Sequence, residues 1–391
     1  MQTPDAVVEN YTPDLSTLDS ELACAAISSG WVSYAGSYVS EFEREVATAM
    51  GFEGSVALTS GTCALQVAFE LLGAAGSEVL MPALTFAAPA SAAIRAGMYP
   101  VFIDLEPLGW QLDAVQVAAF LSDCISDESG VFNPRTGRRV TAVCVVHLWG
   151  ALADLDALYK LAASYGLVVI QDAAQALGAT YRGQPFGRVS TNCESVRTVA
   201  VTSFNANKIV TTGGGGALLS NDGDILRRAR HLTSTAKTNG YSFDHDAYGL
   251  NYRMSNINAA LGVAQMKRLG QIIGRKLRIE QWYRQAMEST FGPTAREQSL
   301  CKHVASNAWS YCYVFDSPTE EAIRLTQARG IQVRPVWIPL IDLPIYRNCQ
   351  RFGECDEARM IWRHGVMFPA GPNLKVEQVM RVVHTLKECI A

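Results

Sequence analysis

The stretch Ser203-Phe204-Asn205-Ala206-Asn207-Lys208 places a single lysine in a small, amide-rich loop. An apolar run, Val199-Ala200-Val201-Thr202, leads into it, and Ala217-Leu218-Leu219 follows after the glycines Gly213 to Gly216. A lysine at a strand end with few other charges nearby is poorly hydrated as an ammonium and gains character as an amine nucleophile, the chemistry of a Schiff-base lysine. A surface lysine on an ordinary turn reads equally well from these residues alone. Upstream, Val168-Val169-Ile170-Gln171-Asp172-Ala173-Ala174-Gln175 is an apolar strand ending in an acid, with a glutamine three residues on. Alone, Asp172 would be a turn or helix-cap residue. At the C-terminal end of a buried parallel strand, however, a carboxylate lies where open α/β sheets bind ligands. Asp172 and Lys208, on successive strand ends, together meet the needs of pyridoxal phosphate. One supplies an amine for the aldehyde, the other an acid that keeps the ring nitrogen protonated as an electron sink.

Other positions carry weaker signals. Thr59-Ser60-Gly61-Thr62 follows a short strand over 55–58 and opens a helix over 63–72. Free N–H groups and hydroxyls at a helix start form an anion site, although a plain capped helix uses the same residues. Phe86, after the strand over 78–81, reads as a core aromatic, and Asn251 as a turn residue. His147 ends the strand over 141–147 and is either structural or a substrate contact. The four glycines are not a nucleotide-binding P-loop, because no Gly-Lys-Ser/Thr follows them.

These residues need a frame. Strands over 55–58, 78–81, 101–104, 141–147 and 168–172 alternate with helices over 41–50, 63–72, 88–96, 113–121 and 154–165. That rhythm predicts a mainly parallel α/β sheet covered by helices. Residues 126–139 are polar with turn signals, and read as a loop or small hairpin. A helix over 222–232, a polar loop over 233–248 and one long helix over 256–287 follow. Beyond 291, a strand over 311–315, a helix over 320–328, a strand over 331–336 and a terminal helix from 377 describe a small α+β domain. The predicted division is a large domain over 1–270, with an N-terminal arm over 1–20, and a second unit over 271–391.

Composition bounds the function. A chain of 391 residues that is 49% hydrophobic can bury a large core. A net charge of −4 offers no electrostatic case for nucleic acid or an anionic membrane as partner. The ten cysteines include no C-x-x-C pair and read as buried free thiols of a reducing compartment, and no metal motif is visible. The N-terminus is polar and acidic, and no apolar run reaches the ~20 residues of a membrane span. The expectation is a soluble, cytoplasmic protein.

Asp172-Ala173-Ala174-Gln175, the Ser-Phe-Asn-x-Asn-Lys loop with Thr211-Thr212-Gly213, and Asn251-Tyr252-Arg253-Met254 resemble the DegT-type sugar aminotransferases over about residues 30–346. The resemblance implies a fold-type-I, pyridoxal-phosphate enzyme in which Lys208 binds the cofactor and Asp172 faces its ring nitrogen. It also implies that Gly61, Thr62 and Ser203 hold phosphate, Phe86 stacks on the ring, and Gln175 lies near the ring's 3-oxygen. Asn251 would reach the phosphate of a neighbouring subunit, making the site a property of a homodimer.

Gly30-Trp31-Val32-Ser33, Pro134-Arg135-Thr136-Gly137-Arg138-Arg139, His231 to Lys237 and Arg334-Pro335-Val336-Trp337 are similar to the branch that aminates C4 of UDP-linked 4-keto-6-deoxy sugars. Within that branch L-glutamate is the amino donor and the sugars enter bacterial surface glycans. Ile341 stands where the family commonly has a histidine, Tyr34-Ala35 replace a smaller Ser-Val, and Ala206 replaces a glycine. Amination of a 3-keto sugar or a keto-cyclitol is the alternative. Lys208 argues against the family's 3-dehydratases, which carry histidine there, and a non-catalytic regulator would call for a basic face that is absent.

Overall fold

The computed structural model describes residues 7–188, 193, 195–238 and 243–390; residues 239–242 of the polar loop expected over 233–248 lie outside them. Among the described residues, ten strands form the main sheet. Its path runs Gly54–Leu58, Gly216–Ser220, Thr198–Ser203, Val168–Asp172, Arg139–Val146, Glu78–Pro82, Tyr99–Ile103 and Gln350–Arg351. Neighbours from Thr198–Ser203 to Gln350–Arg351 are parallel, whereas Gly216–Ser220 is antiparallel to both of its neighbours. The predicted mainly parallel sheet is therefore present. Its inner strands are buried on both faces, as crossover helices require, which is why they read as continuous apolar runs.

Register brings the chemistry to one edge. Val146 and Val201 both sit opposite Asp172, so the ends of three adjacent strands are level there. The helix Gly61–Leu72 starts at the same edge, capped by Ser60, whose Oγ accepts the Cys63 N–H at 3.1 Å. Two glycines permit this approach. A Cβ on Gly216 would stand 2.4 Å from the Gly61 nitrogen, and one on Gly61 would stand 2.9 Å from Ser203 Cβ. The helix start therefore packs directly against the end of the Thr198–Ser203 strand.

A second, antiparallel sheet orders Ala295–Glu297, Tyr311–Phe315, Gly365–Phe368 and Arg334–Pro335. It shares an aromatic core of Tyr283, Tyr311, Tyr313 and Phe368 with the helices Leu269–Phe291 and Val376–Cys389. Gln350–Arg351 leaves this body and pairs with Tyr99–Ile103 of the main sheet.

Several elements differ from expectation. The helix expected over 256–287 is two, Asn256–Met266 and Leu269–Phe291. Arg268 leaves helical geometry (φ −109°, ψ 5°) while its guanidinium pairs with Asp14 at 3.0 Å and Asp19 at 2.9 Å. The strand expected over 331–336 shrinks to Arg334–Pro335, since Pro335 has no N–H for a ladder and Ile331 bridges to Val8 instead. Where only an arm was expected, a helix spans Thr17–Ser28, opened by a Ser16/Asp19 capping box. Residues 126–139 are indeed hairpin-like, with Ile125–Asp127 paired to Gly130–Phe132. All ten cysteines are free, but only Cys144, Cys312, Cys355 and Cys389 are buried as expected; Cys63, Cys124, Cys193, Cys301 and Cys349 are half-buried and Cys24 is exposed.

Candidate active site

A cavity of about 400 Å³ opens at the carboxyl edge of the parallel strands. Gly61, Thr62, Phe86, Asp172, Gln175, Ser203 and Lys208 all line it, although they are spread over more than a third of the chain. Asp172 is buried at its strand end, and its Oδ1 accepts the Ala174 N–H at 3.0 Å. Burial raises its pKa, opposed by that hydrogen bond and by the charge of Lys208. Burial pushes Lys208 down to about 8, and the Asp172 carboxylate resists the fall. Each charge is thus costly alone and steadied by the other. The lysine can be a free amine at mildly alkaline pH, and among the described residues Lys208 is the cation whose charge acts on the carboxylate.

The neighbouring groups are held by specific contacts. Gln175 Oε1 accepts the Trp149 N–H at 2.7 Å, which leaves the amide NH2 for the cavity. The Gln175 carbonyl accepts from Asn307 Nδ2 at 2.8 Å, and Asn307 Oδ1 accepts the Trp309 N–H at 2.9 Å. Trp309 in turn donates from Nε1 to Asn207 O at 2.8 Å, and Lys208 Nζ lies 4.5 Å from its ring centroid. Phe86, an apolar ring lining the cavity, is 59% exposed. The first-turn amides of Gly61 and Thr62 have no partner within their own helix and adjoin the Ser203 hydroxyl, making a small anion cradle.

This donor set fits pyridoxal phosphate: an amine, an acid, an aromatic face and an anion cradle in one cavity of suitable volume. Among the described residues no group of three or more His, Cys, Asp or Glu could hold a metal ion.

Two predicted positions stand elsewhere. His147 is fully buried; its Nδ1 accepts the Ala153 N–H at 3.2 Å, so Nε2 carries the proton donated to Gln171 Oε1 at 2.9 Å. Burial lowers its pKa to about 4, and this neutral ring braces the strand ends without reaching the cavity. Asn251 is exposed and does not line the cavity. It bridges to Ser234, while the next two residues run along Gly54–Leu58: Tyr252 O accepts the Thr59 N–H at 2.8 Å and Arg253 pairs with Glu43 at 2.7 Å.

Of the stretches likened to the C4-aminating branch, only Trp337 reaches the cavity, stacked on Trp149. The turn over 134–139 sits at the opposite strand edge, where Thr136 and Asn133 bind Glu78 at 2.6 and 2.8 Å. Tyr34 and Ile341 do not line the cavity, and Ala206 lines a smaller one behind the lysine loop. Asn205 and Asn207, the amides of the lysine loop, line the main cavity, and so do Trp309 and Tyr11, which were not singled out from sequence. The only local signal for Trp309 was an aromatic just before the strand Tyr311–Phe315.

The profile of the DegT/DnrJ/EryC1/StrS aminotransferase family matches residues 14–387. EpsN of Bacillus subtilis (strain 168), provisionally named a pyridoxal phosphate-dependent aminotransferase, is 31% identical over 384 residues, covering 96% of this chain and 93% of its own. GDP-perosamine synthase of Caulobacter vibrioides is 30% identical over 383 residues, covering 97% of each. The crystal structure of DesI in the presence of its TDP-sugar product superposes with a TM-score of 0.83 at 29% identity, covering 100% of this chain and 93% of that one. The chain belongs to the DegT/DnrJ/EryC1/StrS aminotransferase family and is a pyridoxal-phosphate-dependent sugar aminotransferase.

Proposed function

We propose that the enzyme transfers the amino group of L-glutamate to C4 of a nucleotide-linked 4-keto-6-deoxy sugar, UDP-linked by preference, in the cytoplasmic synthesis of a surface glycan. The observation that carries the transfer chemistry is the placement of Lys208 and Asp172 in one cavity beside the Gly61–Thr62 helix start. Among the described residues no helix is long and apolar enough to cross a membrane, which suits work on a dissolved substrate. The relatives named for GDP-perosamine and solved with a TDP-sugar support a nucleotide-linked acceptor.

Bound pyridoxal phosphate supplies an electron sink that acidifies the carbon carrying the amino group. Lys208 Nζ is the amine that would hold the cofactor's aldehyde, and as a free base it would move a proton to and from the donor's Cα. Asp172 holds the proton on the ring nitrogen by charge. Gly61, Thr62 and Ser203 would hold the phosphate, Phe86 would cover a ring face, and the Gln175 NH2 would donate toward the ring's 3-oxygen. A panel of UDP-, GDP- and dTDP-linked 4-keto sugars, assayed with glutamate, tests the acceptor. The UDP compound should turn over fastest, and a 3-keto sugar or keto-cyclitol outpacing all of them would overturn the C4 assignment.

The proposal includes a homodimer whose cavity is completed by Asn251 of the partner subunit. Asn251 is exposed, on a segment that runs along the outer Gly54–Leu58 strand, and does not line its own chain's cavity. Lys208→Ala and Asn251→Asp should each be inactive, the second by setting a carboxylate against phosphate. If Asn251 acts in trans, a mixed dimer has one site with both lesions and one with neither. Mixing with subunit exchange should then restore up to about half of wild-type activity per mixed dimer. Exchange confirmed by mass with no recovered turnover would rule out the shared site.

A further inference from the structure

The N-terminal segment is strapped to the second body before its own helix begins. The Val8 N–H donates to Gly330 O at 2.9 Å, and the Gln332 N–H donates to Val8 O at 2.9 Å. Asn10 Nδ2 donates to Gln332 O at 2.6 Å, and the Ala370 N–H donates to Asn10 O at 2.7 Å. Asp14 then pairs with Arg268 at 3.0 Å and Arg275 at 3.1 Å. Held on both sides, the strap carries Tyr11 into the wall of the active-site cavity. Its ring stacks on Trp309, with centroids 5.5 Å apart and planes 13° from parallel, and its hydroxyl bonds Ser310 Oγ at 2.6 Å.

Trp309 is the ring that Lys208 Nζ approaches and the one tied to the lysine loop through Asn207 O. Tyr11 also lines the small cavity behind that loop, about 10 Å³, together with Asn207, Lys208 and Lys276. That space admits about one water at most. Tyr11 is therefore both a backing for the indole and a partition between the two cavities.

We propose that Tyr11 is a positioning residue for the reactive lysine: it fixes the Trp309 indole and closes the space behind the loop, so that water reaches Lys208 from the main cavity alone and the lysine keeps its contact with the ring. The inference rests on Lys208 being the reactive lysine. Removing the phenol ring leaves the indole with one tether and opens a path for water. Hydration favours the ammonium, so the lysine becomes harder to deprotonate. Loss of the ammonium–ring contact acts in the opposite sense. Hydration is the larger effect, because burial is the main cause of the lysine's depressed pKa.

The test titrates Lys208 directly. The full-length chain, freed of cofactor, is labelled across a pH series with trace acetic anhydride, and peptide mass spectrometry reads the Lys208 fraction. The wild-type midpoint should fall at about 8. Tyr11→Phe, which keeps the stack, should hold that midpoint. Tyr11→Ala and Tyr11→Leu should raise it by about one pH unit, and the loaded Leu variant should lose about tenfold in kcat with little change in KM for glutamate. Leu keeps an apolar anchor for the strap, so it decides the matter if the Ala variant melts early. A wild-type midpoint in a folded Leu variant, or a Phe variant as shifted as Ala, would overturn the proposal. Borohydride marking a different lysine in the loaded wild type would instead overturn the reading of Lys208 and leave the Tyr11 titration standing.

Discussion

Asp172→Asn should slow the half-reaction with L-glutamate by about three orders of magnitude, as expected when a preorganised electrostatic stabiliser is lost. The substitution is nearly isosteric, so the Ala174 N–H can still bond an amide oxygen at the Oδ1 position. What disappears is the only carboxylate among the described residues that line the cavity, and an amide cannot hold a proton on a ring nitrogen by charge. Three orders of magnitude correspond to about 4 kcal/mol of barrier. Cofactor binding should weaken yet persist, because the phosphate cradle and the lysine are untouched. Single-turnover kinetics at saturating glutamate would read the effect, and near-normal turnover would remove Asp172 from this role.

Lys208→Ala should have the larger effect, at least about four orders of magnitude in kcat, since one side chain both binds the cofactor and moves the proton. Lys208→Arg separates charge from chemistry. A guanidinium keeps the cation near Asp172, but it stays protonated throughout the working pH range and leaves no free base for the proton transfer. Both variants should be inactive in steady-state assays while keeping the fold, which circular dichroism and thermal melts can check. Activity in the Arg variant within about tenfold of wild type would show that Lys208 serves only as a positive charge.

The heart of this site was legible because it depends on strand ends. An apolar run closing on Asp172, and another leading to Lys208, place both residues at the carboxyl edge whatever their neighbours are. The Gly61–Thr62 helix start was legible for the same reason, as a turn between a strand and a helix. The aromatic wall was not. Tyr11 and Ser310 are 299 residues apart in sequence, and their contact depends on a strap whose anchors lie in the second body. The break at Arg268 was equally hidden, because the nearest glycines, Gly262 and Gly270, lie inside the two helices and the break coincides with ion pairs from Arg268 to two distant aspartates. The helix Thr17–Ser28 is a different case: its Ser16-x-x-Asp19 signal is local, but the polar composition around it masks the helix. His147 shows the converse, since a strand-end position does not reveal which way a buried ring is bonded.

The most direct measurement is borohydride reduction of the cofactor-loaded protein followed by peptide mass spectrometry. The reduced cofactor should be found on Lys208, in the peptide that carries Ser203-Phe204-Asn205-Ala206-Asn207. An adduct on another lysine, such as Lys237, Lys267 or the buried Lys276 behind the loop, would contradict the assignment of the site.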